Sequence, residues 1–203
     1  MGRLIGIFGG TFDPPHLGHR ILAYEAMLNL GLEQVLWVVT GDPPHKPDIQ
    51  ITPAQDRVAM VEMMIDSEPA FILSRVELDR QPPHYALDTL RLLHQQWPQA
   101  ELVYLMGSDS LMELPTVWHQ PRQFVDQADR LGVMPRPNVE LDLPWLASKL
   151  PGIESKVTFF TAPLIEISSS LIRSRIRAGQ PYKHFVTAEV GRYLDRSTFY
   201  RSG

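Results

Sequence analysis

Gly9-Gly10-Thr11-Phe12-Asp13-Pro14-Pro15-His16-Leu17-Gly18-His19 is the stretch from which the rest of the chain can be read. An apolar run, Leu4 to Phe8, precedes it, and an amphipathic run from Arg20 to Leu30 follows. That order predicts a strand, a glycine turn and a helix. Glycines let backbone N–H groups approach a ligand closely. The helix beyond them starts with unpartnered N–H groups and a positive dipole end, which favours an anion. His16 and His19, three apart, can share one face of that helix. A backbone cradle with two imidazoles suits a polyphosphate and the charge that moves on it. The plainer alternatives are a glycine turn with two surface histidines, or a two-histidine metal site. Metal is disfavoured because no third ligand stands nearby at a familiar spacing.

The 203 residues fit one α/β domain that can bury a core without disulfides or metals. Cysteine is absent, which excludes thiol chemistry and is compatible with a reducing cytosol. The first apolar run is too short for a signal peptide, and no stretch approaches a membrane span, so a cytoplasmic protein is expected. A net charge of −4 gives no support to nucleic-acid binding. From Leu171 onward, however, seven basic residues face two acidic ones. Most of these read as a solvated face; Arg173 is the one expected to meet phosphate.

Further apolar runs predict strands at 35–39, 71–78, 101–106, 130–134 and 157–161. Helical periodicity and caps predict helices from about Thr52 to Ile65, from Tyr85 to about Trp97, from Glu166 to Ala178, and from Phe185 to Leu194. Thr52 is expected as an N-cap, with Pro53 at the first helical position and Gln55 completing a capping box. Residues 138–156 carry proline breaks and weak periodicity and receive no assignment. The expected architecture is one doubly wound, mostly parallel, Rossmann-like α/β domain of five or six strands, residues 1–203. Residues from about 165 would form a small helical C-terminal subdomain.

Several loops carry chemistry. Thr40 to Pro47 includes Pro43-Pro44-His45-Lys46, a stiff loop that can hold a cation near the sheet's carboxyl edge. Gly107-Ser108-Asp109-Ser110-Leu111 follows a strand, where α/β sheets bind ligands, and Asp109 could accept hydrogen bonds from ribose or cap the next helix. Arg136 sits between prolines. Ile167-Ser168-Ser169-Ser170-Leu171-Ile172-Arg173 reads as a capped helix start, with Arg173 one turn in.

The first stretch resembles G-G-x-F-D-P-x-H-x-G-H of the nucleotidylyltransferases. The second resembles that family's I-S-[ST]-[ST]-x-[IL]-R, and Gly107 to Trp118 resembles its G-x-D-x-L…W. The Pro-Pro-His-Lys and Tyr85-Ala86 segments are similar to the family's bacterial nicotinate-nucleotide branch, although Ala86 stands where that branch has Thr. The resemblance implies adenylyl transfer from ATP to nicotinate mononucleotide, with pyrophosphate released and Mg²⁺ held mainly by the ATP phosphates. It implies His16, His19, Lys46 and Arg173 as catalytic residues. ATP would meet Gly9, Gly10, Thr11, Phe12, His16, His19, Gly107, Asp109, Arg136, Ile167, Ser168, Ser169 and Arg173. The pyridine nucleotide would meet Lys46, Tyr85, Ala86, Asp109, Leu111, Trp118 and His119, with Trp118 stacking on its ring. Two alternatives stay open: an acceptor such as nicotinamide mononucleotide or phosphopantetheine, and a non-catalytic nucleotide-binding module.

Overall fold

A computed structural model describes residues 2–41 and 51–201. Six strands form one all-parallel sheet. They are β1 (Arg3–Gly10), β2 (Gln34–Val39), β3 (Phe71–Ser74), β4 (Ala100–Gly107), β5 (Arg130–Met134) and β6 (Val157–Phe159). Their order across the sheet is β3-β2-β1-β4-β5-β6. The chain winds outward from β1 to β3 and then restarts on the other side of β1 at β4. A crevice opens where the direction reverses, beyond the carboxyl ends of β1 and β4.

The helices are α1 (Leu17–Leu30), α2 (Ala54–Ile65), α3 (Ala86–Gln96), α4 (Ser108–Val117), α5 (Pro121–Gln127), α6 (Leu143–Lys149), α7 (Ser169–Arg177) and α8 (Ala188–Arg196). Two apolar clusters show how the sheet is covered. One gathers Phe8, Val35, Trp37 and Val39 with residues of α1, α2, α7 and α8. The other gathers Ile5, Ile7, Leu36 and Val38 with residues of α3 to α6. The alternating strand residues thus point to opposite faces, and both faces are buried, as parallel strands require. Each fully buried side chain of this size contributes about 1.5–3 kcal/mol relative to exposure. The segment from residue 165 holds α7, a 3₁₀ turn and α8, whose Ile172, Val190 and Leu194 join the first cluster.

Four sequence expectations need correction. The glycine turn starts later than expected, because Gly9 and Gly10 still pair with Val38 and Val39. Thr52 is not the cap of α2: Pro53 precedes the helix without a side-chain cap, and Thr52 spends its hydroxyl on Tyr200 instead. The closing helix begins at Ala188, because Thr187 accepts from Val190 N at 3.4 Å and Lys183–Phe185 form the 3₁₀ turn. β3 and β6 stop at Ser74 and Phe159, short of the predicted Leu78 and Thr161. The unassigned region contains α6, capped by Asp142 accepting from Trp145 N at 2.8 Å.

Candidate active site

The site is built on the N-terminus of α1. His16 is the N-cap, in extended conformation, and its Nδ1 accepts from the His19 N–H at 3.3 Å. His19, at the third helical position, returns the bond: its Nδ1 accepts from the His16 N–H at 3.2 Å. This is a capping box made of two imidazoles instead of Ser and Glu. The rings stack with centroids 3.6 Å apart, inclined by 23°. Gly18 gives the stack room, since a Cβ there would press on His16 Nδ1 at 3.0 Å.

The reciprocal bonds fix the chemistry of both rings. With each Nδ1 occupied as an acceptor, a neutral imidazole carries its proton on Nε2. Each ring therefore offers one Nε2–H donor. Protonation of Nδ1 would break the cap and put two cations face to face. Burial accordingly lowers the His16 pKa from 6.5 to about 4. Burial first, then His16 and Arg136, hold His19 well below its ordinary value. Both rings are neutral near pH 7.

The second wall is the start of α7. Ser168 caps it, as its sequence predicts, accepting from Leu171 N at 3.1 Å. Ser169 and Arg173 turn toward the signature loop: Ser169 Oγ donates to Pro14 O at 2.9 Å and Arg173 Nη1 to Asp13 O at 2.7 Å. Arg173 Nη2 donates to Ser170 Oγ at 3.2 Å. Helix α7 is thereby laced onto the turn that carries His16.

Between the walls lies a cleft of about 640 Å³, within the usual range for a small-molecule site. His16, His19, Arg136, Ile167, Ser168 and Ser169 all line it, and Leu164 and Ile165 supply an exposed apolar rim. Across the crevice, the ends of β4 and β5 place Gly107 opposite Met134. Asp109 Oδ1 pairs with Arg136 Nε at 3.0 Å. A Cβ on Gly107 would fall 2.2 Å from Asp109 Oδ1, so only glycine admits the pair. Both partners are half exposed, so the pair contributes at most about 1 kcal/mol and can yield to a ligand.

Of the residues expected at the pyridine end, Tyr85, Ala86, Leu111, Trp118 and His119 are not among those that line this cleft. Tyr85 stands before α3 and its ring stacks on His119, centroids 3.9 Å apart and 15° inclined. No side chain caps α3, whose first N–H group is that of Ala86; those of Asp88 and Thr89 bond to Tyr85 O at 3.1 Å. Arg80 Nη2 donates to Tyr85 O at 3.2 Å. Thr89 Oγ1 gives its one proton to the buried Glu77 at 2.8 Å, and burial pushes that carboxyl up.

Burial bears on three of the expected ligand contacts. Leu111 is fully buried in the second core cluster, so its side chain is core. Phe12 is 2% exposed and its ring packs on Phe8, Trp37 and His19, so its side chain is core. Trp118 is partly buried, with its ring 5.8 Å from that of Tyr104 and 4.9 Å from that of Phe124. Much of its surface therefore belongs to the core edge. Lys46 lies outside the described residues.

Two buried residues that shape the site are given no role by the sequence reading. Arg57 is 2% exposed and donates to four carbonyls, Thr52 (2.9 Å), Thr11 (2.8 Å), Thr40 (2.8 Å) and Gly41 (3.0 Å). Asp13 is 4% exposed and accepts from Tyr200 Oη at 2.5 Å and from Thr52 N at 3.5 Å.

The family model described as cytidylyltransferase-like matches residues 7–175. A probable nicotinate-nucleotide adenylyltransferase of Thermomicrobium roseum is 42% identical over 202 residues, covering 100% of this chain and 93% of the relative. The nicotinate-nucleotide adenylyltransferase of Bacillus subtilis is 33% identical, covering 98% and 100%. Among solved structures, the nicotinic acid mononucleotide adenylyltransferase of Plasmodium falciparum, complexed with NaAD, superposes with a TM-score of 0.77. It covers 98% of this chain and 97% of its own at 19% identity, a likeness of fold. A family match across the signature loop and α7, with full-length relatives above 30% identity, means that the chain belongs to the cytidylyltransferase-like family, in its nicotinate-nucleotide adenylyltransferase branch.

Proposed function

We propose that this protein transfers the adenylyl group of ATP to the phosphate of nicotinate mononucleotide, forming the deamidated dinucleotide and pyrophosphate. The observation that carries this reading is the imidazole pair. Two neutral rings, locked in one tautomer by a reciprocal cap, line a cleft at a helix N-terminus. Such donors are set before the reaction begins and need no rearrangement as charge develops on phosphate oxygens.

In this reading the acceptor phosphate attacks the α-phosphorus of ATP in line, with no covalent enzyme intermediate. The chain positions both phosphates and stabilises the departing pyrophosphate. The Nε2–H groups of His16 and His19 serve the α- and β-phosphates, with the backbone of Gly9 to Thr11 alongside. The α7 start, through Ser168, Ser169 and Arg173, serves the outer phosphates. Of the five donors of the Arg173 guanidinium, Asp13 O and Ser170 Oγ use two, so others remain for phosphate. Lys46 is assigned to the acceptor phosphate and Asp109 to ribose. Ala86 N–H and the Tyr85, Trp118 and His119 segment are assigned to the pyridine ring and its carboxylate.

Magnesium ions prefer oxygen ligands. The polar side chains on the cleft are two imidazoles, two serine hydroxyls and the Arg136 guanidinium, with Glu166 a single carboxylate, and among the described residues no cluster of three metal-ligating side chains occurs. This donor set fits phosphate rather than a bare cation, so Mg²⁺ is assigned to the phosphates of ATP and no step is routed through it here. Use of ATP fits a cytoplasmic site of action; among the described residues no helix is long and apolar enough to cross a membrane.

The test is pyrophosphate release from ATP with each of the two pyridine mononucleotides. N–H donors aimed at a carboxylate stay unpaired against the neutral amide, at a cost of about 1–3 kcal/mol. The acid should therefore win in kcat/KM by at least about tenfold. Equal use of both substrates would reject the nicotinate assignment, and no release with either would reject catalysis.

A further inference from the structure

We propose that Tyr200 is a positioning residue of the phosphate site: its hydroxyl binds the Asp13 carboxylate from behind and holds the turn that leads to His16 in its working shape. The inference rests on the functional reading above.

Tyr200 follows α8, far from the signature loop in sequence, and is not among the residues that line the cleft. Its hydroxyl nevertheless donates to Asp13 Oδ1 at 2.5 Å, while Thr52 Oγ1 donates back to it at 2.9 Å. Asp13 is almost completely buried, and a buried carboxylate is tolerated only when hydrogen bonds replace its water. Among the described residues the other donor to that carboxylate, Thr52 N, stands at the limit of hydrogen-bond distance, 3.5 Å, so Tyr200 is the shorter and stronger of the two.

The backbone points the same way. Phe12 and Tyr200 are both non-glycine residues in left-handed conformation, with φ of 50° and 63°. Such conformations persist only where the surroundings over-determine them. The signature loop is held by Arg57 on Thr11 O, Arg173 on Asp13 O and Ser169 on Pro14 O. Each of these grips a backbone carbonyl. Tyr200 and Thr52 grip the one acidic side chain of the loop, and His16 follows three residues later. Burial and the neighbouring Asp13 raise the Tyr200 pKa, so the hydroxyl keeps its proton and remains a donor across the working pH range.

The experiment compares the full wild-type chain with Tyr200→Phe, which removes only the hydroxyl. Small misplacements of catalytic groups cost up to about a hundredfold in rate. We expect kcat to fall between about tenfold and a hundredfold while the KM for ATP changes by less than about threefold. The second readout is independent of turnover: ring-nitrogen NMR of His16 and His19, assigned through substitutions of each. In the wild type both rings should show the Nε2–H tautomer near neutral pH, and in Tyr200→Phe that signature should shift or average with the second tautomer. A kcat within about twofold of wild type overturns the proposal. So do unchanged ring-nitrogen signals, because a merely structural role for Tyr200 would lower the melting temperature and leave the tautomers alone. If the wild type releases no pyrophosphate, the functional reading fails, and the NMR comparison still decides whether Tyr200 holds the loop.

Discussion

The imidazole pair should make the stability of this protein depend on pH in one defined window. Burial moves the His16 pKa from 6.5, its value in an unfolded chain, to about 4 in the fold. Above about pH 6.5 the ring is neutral in both states, and pH does not act on folding through it. Between about 6.5 and 4 the unfolded chain takes up a proton that the folded chain refuses, so stability falls as pH falls. Below about 4 both states are protonated and the loss is complete. At about 1.4 kcal/mol per decade, the loss from His16 is about 3 kcal/mol. His19 is displaced in the same direction and for the same first reason, so it adds to the slope. The control is His16→Asn. Asparagine is among the best N-caps, keeps an acceptor for the His19 N–H, and does not titrate. Urea unfolding of both proteins at about pH 7 and about pH 4.5 isolates the effect, because the carboxylates that also titrate there are common to both. The variant should be within about 1 kcal/mol of wild type at the higher pH. On acidification the wild type should lose about 2 to 3 kcal/mol more than the variant. Equal losses would mean that His16 is not held neutral by its surroundings, and the tautomer argument for the two Nε2–H donors would fall with it.

What could be read from the sequence, and what could not, divides by the range of the interaction. The strand at Val35–Val39 stands out as an apolar, β-branched run, because a strand buried on both faces leaves no room for polar residues. Ser168 is legible as a cap because its partner, Leu171 N, is three residues away. The closeness of His16 and His19 follows from helix geometry, but not their reciprocal bonds, since imidazole is an unusual partner in a capping box. Thr52 shows how a local rule fails. Its neighbours make a good capping pattern, yet Tyr200, 148 positions away, takes its hydroxyl. Arg57 stands between Asp56 and Val58 in α2, and nothing local reveals that its guanidinium will reach Thr11, 46 positions back, rather than pair with a neighbouring carboxylate. Asp13 and Tyr200 meet across 187 positions. Phe12, a conspicuous member of the signature, turns out to face the core, because a left-handed backbone rotates its side chain onto Trp37.

Three further outcomes are expected. His19→Ala should lower kcat by about 10²–10³ while ATP still binds, since a donor to developing charge matters mainly in the transition state; near-normal kcat would remove His19 from the chemistry. Arg57→Ala should strand four carbonyls, one buried and three part-buried, and cost several kcal/mol, which for a chain of this size lowers the melting temperature by about 10 °C or more; a shift of a degree or two would show that water replaces the guanidinium. Trp118→Ala probes a residue with two neighbourhoods. Its contacts with Tyr104 and Phe124 make it part of the core edge, but it is only partly buried. Truncation of a fully buried Trp costs about 3–5 kcal/mol, so about half of that is expected here, a fall in melting temperature of about 4–8 °C. The surface left exposed is what a pyridine ring could stack on, and stacking contributes about 0.5–1.5 kcal/mol beyond area burial. The KM for the pyridine nucleotide should therefore rise several-fold while that for ATP stays put. A melting shift with both KM values unchanged would assign Trp118 wholly to the core and transfer the ring to the Tyr85–His119 stack; a KM change without a melting shift would mean that the contacts with Tyr104 and Phe124 contribute little to the fold.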